Sequence, residues 1–193
     1  IFDPNRNGAP VLPMEKRICL GYTEYIKKSA GAILRRKGTF QMQFLWAAGY
    51  LVLLGILSHF IGNALPRDRF DPKAFPYREY GWEKGLYARL KISVWKDRLP
   101  DMSRCCSDMR RKTVTPAMNA EEIKALVQET CVAECVHWGL ILLSPGVLLL
   151  CPGWPGQILF WADILLLNLP FILIQRYNRP KLMVLQTKLE LRA

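Results

Sequence analysis

The apolar positions of this 193-residue chain are gathered into long uninterrupted runs, with the charged positions between them. No Asp, Glu, Lys or Arg occurs between Lys37 and Arg67, and "FQMQFLWAAGYLVLLGILSHFIGNAL" (40–65) fills most of that interval. A second run, from Cys135 to Gln175, is interrupted by formal charge only at Asp163. A helix needs about 20 apolar residues, at about 1.5 Å each, to cross a hydrocarbon core of about 30 Å. The first run suits one crossing and the second suits two, with "PGWPGQ" (152–157) supplying the Pro and Gly of a tight turn in its middle. The pattern predicts an all-α membrane protein with about three transmembrane helices, 40–62, 132–151 and 158–175, the last two forming a hairpin.

The polar segments are less uniform. Residues 1–21 are rich in Pro, Gly and Asn and read as an irregular arm. In "YTEYIKKSAGAILRRKG" (22–38), Tyr22, Tyr25, Ile26, Ile33 and Leu34 alternate with Lys27, Lys28, Arg35 and Arg36 at helical spacing. That pattern fits a basic interfacial helix or an ordinary solvated or partner-packed one. Between the first two spans, "PRDRFDPKAFPYREYGWEKGLYARLKISVWKDRLPD" (66–101) mixes aromatics with both signs of charge; Trp82, Tyr87 and Trp95 are rings of the kind that settle at a headgroup boundary. Residues 101–118, with the vicinal Cys105–Cys106 pair and the run Arg110–Arg111–Lys112, read as a loop. Asn119, followed three residues on by Glu122, has the form of a capping box, and Ile123, Leu126, Val127 and Thr130 then recur at helical spacing without a breaker. One long helix is expected to run from the polar layer into the second span. The organisation read from this is an arm and basic helix over 1–39 and a membrane domain over 40–193, with an interfacial loop at 66–118.

Net charge changes the picture only in part. The formal value is +11, with eight basic and three acidic groups in the first 39 residues and fourteen and ten in residues 62–130. Basic segments beside lipid-soluble ones fit anionic headgroups, at about 1 kcal/mol per Lys or Arg near the surface. No nucleic-acid motif accompanies the charge, so a nucleic-acid partner is not expected. The six cysteines show no disulfide framework, and Cys135 and Cys151 fall among the apolar runs as small hydrophobes. The chain starts at Ile1 with no recognisable signal peptide, which is compatible with a removed targeting segment.

Ionisable residues at the mouth of the second span are the candidate chemistry. Thr130, Glu134, His137 and Ile141 step by four, three and four and so share a helix face. An antiparallel third span ends level with them, in "IQRYNRPKL", bringing Gln175, Arg176, Tyr177, Asn178 and Arg179 to the same membrane face, where His59 of the first span also arrives. A carboxylate beside an imidazole raises its basicity, and guanidiniums suit phosphate or carboxylate groups. The same residues also fit a plainer account, in which Arg and Asn anchor a helix end at headgroups, Pro180 closes it, and Glu134 and His137 satisfy each other. Asp163, Asn168 and Pro170 read as bundle-facing polar contacts and a kink. No metal site is expected: Cys131, Cys135 and His137 on one continuous helix cannot all face a single tetrahedral ion. A Gly-rich phosphate loop, a nucleophilic Ser elbow and a His-x4-Asp acyltransferase box are all absent from the sequence.

"EEIKALVQETCVAECVHW" followed one hairpin later by "NLPFILIQRYNRPKL" resembles the glycosyl-4,4'-diaponeurosporenoate acyltransferase family, and the segment 66–101 resembles that family's middle part, so the likeness covers roughly residues 65–185. The resemblance implies transfer of a fatty acyl group from an activated thioester to a sugar hydroxyl of a membrane-dissolved terpenoid, with acyl-CoA or an acyl-carrier thioester as co-substrate and no resident cofactor. Glu134, His137, Arg176, Asn178 and Arg179 are the motif matches. In the reading of their chemistry, His137 oriented by Glu134 is the general base, Asn178 and Arg176 steady the oxyanion, and Arg179 and Lys181 meet the donor's phosphates. Tyr177, Trp138, Trp95 and His59 complete the expected substrate-binding set. Residues 1–39 have no counterpart in the resemblance, which leaves a second reading open: a non-catalytic accessory subunit of a larger respiratory or photosynthetic membrane complex, docked through that extension. A carrier of terpenoid lipids is a third. Expected partners are membrane lipids and anionic headgroups, and the expected location is a bacterial cell membrane or organellar inner membrane. The uncharged hairpin turn and the basic flanks put the candidate site on the cytoplasmic face or its organellar equivalent.

Overall fold

The computed structural model describes the backbone of residues 14–99, 114–115 and 117–192, and the side chains of 27–28, 38–99, 114–115 and 117–192. The arm at 1–13, the Cys105–Cys106 pair and the Arg110–Arg111–Lys112 run lie outside the described residues, as do the side chains of Tyr22, Tyr25, Ile26, Ile33 and Leu34. All regular structure among the described residues is helical. By compactness the chain divides into residues 1–45 and 46–193. In the first, helical backbone starts at Met14, directly after Pro13, so residues 14–21 are helix rather than part of an irregular arm.

The helix so begun, α1 (Met14–Ala64), carries the first apolar span. Its later half lies antiparallel to α4 (Ala120–Leu143): Tyr50 donates to the Leu143 carbonyl at 2.9 Å, Gly62 adjoins Val136, and Arg67 Nε meets Glu129 at 3.1 Å. Arg67 also donates to the carbonyls of Asn63 and Leu65, satisfying backbone acceptors left over at the helix end. The capping box forms as expected, with Asn119 Oδ1 accepting from the Glu122 amide and Glu122 Oε2 from the Asn119 amide, both at 2.9 Å.

Between α1 and α4 the aromatic, basic segment folds into short helices, α2 (Glu83–Arg89) and α3 (Ile92–Trp95), flanked by single 3-10 turns at Arg67–Arg69 and Lys96–Arg98. Glu83, Tyr87 and Ile92 are buried, whereas Trp82 is exposed.

Past Leu143 come α5 (Gly146–Leu150) and α6 (Trp154–Ala162). The hairpin turn is tighter than 152–157. It occupies 151–153, and Trp154 and Pro155 already form the first helical turn, where the missing amide of Pro leaves nothing unsatisfied. Gly153 takes φ 93°, a left-handed value that glycine adopts without Cβ strain, and a Cβ on Gly156 would fall 1.7 Å from the Cys151 carbonyl oxygen. Ala47, Val147 and Cys151 form a buried cluster beside this turn.

A π-helical turn, Asp163–Asn168, then leads into α7 (Leu169–Glu190). Pro170 has no amide to offer the Leu166 carbonyl and its ring crowds that turn, so the backbone widens there. Pro180 does not end the helix, which runs ten residues further, to Glu190. Arg176 and Arg179, in the turn before Pro180, are both held by tertiary contacts (below). Three segments, Gly38–Ala64, Ala120–Leu150 and Trp154–Glu190, are long and apolar enough to cross a membrane; the first and third contain the predicted spans 40–62 and 158–175, and the second contains 132–151 except its last residue. Their large apolar side chains, among them Phe60, Leu142, Leu149 and Leu166, point outward. Such surfaces suit hydrocarbon rather than water.

Candidate functional site

A polar seam runs between α4 and the α6–α7 rod. At its upper end Glu134, fully buried, accepts from two guanidiniums: Arg176 Nη1 reaches Oε1 at 2.6 Å and Arg179 Nη2 reaches Oε2 at 2.5 Å. Arg176 completes its five donors with Glu83, through Nε at 3.1 Å and through Nη2, and with the carbonyls of Pro76 and Arg78. Arg179, 2% exposed, gives Nε to Thr130 Oγ1 at 2.8 Å, Nη1 to the Tyr77 carbonyl and Nη2 also to the Thr130 carbonyl. Two carboxylates thus face two guanidiniums, which closes the charge balance in a buried place. The arrangement clamps the segment 76–83 onto α4 and α7.

Tyr87 donates to Glu83 Oε2 at 2.6 Å. Burial, then that hydrogen bond, push the Tyr87 phenol above its ordinary value of 10.0, and burial followed by a hydrogen bond with Cys135 does the same to Tyr77. Both stay protonated, and Tyr87 donates to Glu83. Beside the clamp lies a cleft of about 350 Å³, walled by Lys73, Tyr77, Arg78, Pro180, Met183 and Val184 and floored by Glu83, Arg176 and Arg179.

Lower in the seam is His137. Its Nδ1 lies 3.0 Å from Asn168 Oδ1, and its ring stacks on Phe171 with centroids 5.2 Å apart and planes 9° from parallel. Asn168 Nδ2 donates to the Asp163 backbone carbonyl at 3.0 Å and to Asp163 Oδ2 at 3.1 Å, and Ser144 Oγ hydrogen-bonds the same Oδ2. Asp163 and Asn168 therefore face the bundle, as read from the sequence, and both are buried.

The structure brings together Glu134, Arg176, Arg179 and Trp138, whose Nε1 lies 3.4 Å from Glu134 Oε1. His137 Nδ1 pairs with Asn168 Oδ1, where the sequence reading had Glu134 as the orienting partner, and the two oxygens of Glu134 accept from arginines. Where that reading had an incoming anion on Arg176 and Arg179, the structure has Glu83 and Glu134. Asn178 is half-buried on α7, and because the helix continues through Pro180, residues 176 and 178 point to different sides and do not converge on one oxyanion. Tyr177 packs edge-on against Tyr87 at 5.6 Å and takes the Lys181 ammonium 3.4 Å above its ring. Trp95 donates to the Leu90 carbonyl, and His59 pairs with Asn63 one turn along α1.

Sequence reasoning missed Glu83, the carbonyls of Pro76, Tyr77 and Arg78, and the joining of Ser144, Asp163 and Asn168 to His137. The signal for Glu83 was faint: an acid four residues before Tyr87 in a basic, aromatic segment. Among the described residues no group of three His, Cys, Asp or Glu side chains is gathered to hold a metal ion.

A family model described as glycosyl-4,4'-diaponeurosporenoate acyltransferase matches residues 72–188, which include the whole clamp and the His137 series. A protein of Staphylococcus aureus strain N315 with that name is 30% identical over 132 residues, covering 63% of this chain and 74% of the relative. One from strain USA300 is 31% identical over 133 residues, with the same shares. No solved structure matches the chain.

Proposed function

The chain belongs to the glycosyl-4,4'-diaponeurosporenoate acyltransferase family, and on that premise we propose that it is an integral membrane enzyme that moves a fatty acyl group from a thioester donor to a hydroxyl of a glycosylated terpenoid or related lipid. The observation that carries this reading is the coincidence of the family match with a polar seam built into otherwise apolar helices. Ionisable groups are costly in such segments and tend to be kept for function.

In this proposal His137 is the general base. It takes the proton of the acceptor hydroxyl as that oxygen attacks the thioester carbonyl; the C–O bond forms, the C–S bond breaks, and the imidazolium returns the proton to the leaving thiolate. The Glu134–Arg176–Arg179–Glu83 clamp holds the loop that walls the cleft, and Lys73 and Arg78, which line it together with Glu79, offer positive charge to an anionic donor such as acyl-CoA. The accessory-subunit reading gains no support from relatives that are named as acyltransferases.

The test is incubation of the purified protein with acyl-CoA and a glycosylated carotenoid acid in mixed micelles, with the ester followed by mass spectrometry. Ester should form with the wild type, and His137→Ala should lower the rate by about 10²-fold or more while the protein still elutes as a folded particle. Wild-type turnover in that variant would remove His137 from the mechanism; no ester from any thioester would remove the proposal.

A further inference from the structure

We infer that Ser144, Asp163, Asn168 and His137 form one functional series in which Asn168 is the positioning residue that fixes the tautomer of His137; this rests on the reading of His137 as the proton acceptor. The amide of Asn168 has only one workable orientation. Its Nδ2 sits between two acceptors of Asp163, the backbone carbonyl at 3.0 Å and Oδ2 at 3.1 Å, so the atom it turns to His137 is Oδ1. An amide oxygen cannot meet an unprotonated ring nitrogen at 3.0 Å, so Nδ1 carries the hydrogen and Nε2 is the basic nitrogen of the neutral ring. Phe171, stacked on the imidazole, fixes its plane.

The backbone is shaped for this pairing. Residues five apart on an α-helix diverge by about 140°, and the π-helical turn Asp163–Asn168 narrows that angle so that both side chains face α4. Ser144, two helical turns beyond His137 on the same side of its rod, holds Asp163 from across the seam. Asp163 and Asn168 are 8% and 1% exposed within a segment apolar enough to cross a membrane, a placement that a helix–helix contact made of leucines would not require. Nδ1 pairs with Asn168, while Glu134 accepts from Arg176, Arg179 and Trp138.

The chain has two histidines, so an imidazole-labelled nitrogen NMR spectrum of the full-length protein in detergent or lipid has two sets of signals, and His137→Gln assigns them. The wild type should show His137 protonated at Nδ1 and unprotonated at Nε2. Asn168→Leu, similar in size and lacking the acceptor, should lose that preference and lower kcat about 10²-fold with KM for the thioester within about two-fold. Asp163→Asn, gentler on folding, should mix the tautomers because both amides can then turn. Protonation at Nε2 in the wild type overturns the inference whatever the activity, and so does a wild-type kcat in Asn168→Leu. The expected spectrum in a protein that transfers no acyl group would uphold the assignment at His137 and remove the acyltransferase reading instead.

Discussion

Glu134 is the residue on which the upper seam turns, because one buried carboxylate serves two guanidiniums, one of them itself 2% exposed. Removing one member of a buried ionic group leaves its partners charged and uncompensated, which costs about 3–5 kcal/mol, whereas exchanging a whole group for apolar side chains is often neutral. Glu134→Ala is therefore expected to lose about 3–5 kcal/mol in denaturant unfolding. Tyr87→Phe, which deletes one hydrogen bond to Glu83 and keeps the ring, should lose about 1 kcal/mol. The contrast separates a clamp from a catalytic acid. A clamp residue lowers the unfolding midpoint first and activity with it, while His137→Ala, which gives up one hydrogen bond and one ring contact, loses about 1–2 kcal/mol and far more activity than that loss accounts for. Equal midpoints for Glu134→Ala and wild type would show that the two arginines find solvent or lipid partners without it.

At the scale of elements, what could be read in advance was what local spacing encodes. The start of α4 followed from Asn119 and Glu122, three residues apart, and the structure forms both hydrogen bonds of the box. Asn119→Ala should cost about 1 kcal/mol of stability, measured against Glu121→Ala as a neighbouring exposed control. The hairpin followed from run length and from its Pro and Gly, although its turn proved shorter because Gly153 and Gly156 let the chain fold within three residues. Gly156→Val should block that turn and lower the yield of folded protein, since its Cβ would meet the Cys151 carbonyl at 1.7 Å. The shared face of Thr130, Glu134 and His137 was legible for the same reason as the cap. Their partners were not. Glu83 meets Arg176 across 93 residues of sequence, and Asn168 meets His137 across 31, so no local pattern signals either pairing. Helix α7 beyond Pro180 was hidden in the same way, because a local breaker is overruled by side chains held from other elements.

From the loop after α1 to the end of α7, charge and hydrogen bonding agree on an orientation. The segment 76–83 is bonded to Arg176 and Arg179, so the loop after α1 and the later part of α7 must lie at one end of the α4–α7 pair, with the turn at 151–153 at the other. Residues 62–130 are net basic, residues 176–192 hold five basic groups and one acidic, and no formal charge occurs from residue 135 to 162. Basic flanks are retained on the cytoplasmic side, so the clamp and cleft should face the cytoplasm, with the turn on the far side. Protease sites inserted beside Lys73 and after Glu190 should both be cut in inside-out vesicles and both be protected in right-side-out ones, while a site at Pro152 should behave oppositely. If the sites at 73 and 190 are cut from different sides, then α7 does not return to the loop in the membrane, and neither the Arg176–Glu83 ion pair nor the hydrogen bond from Arg179 to the Tyr77 carbonyl could form there.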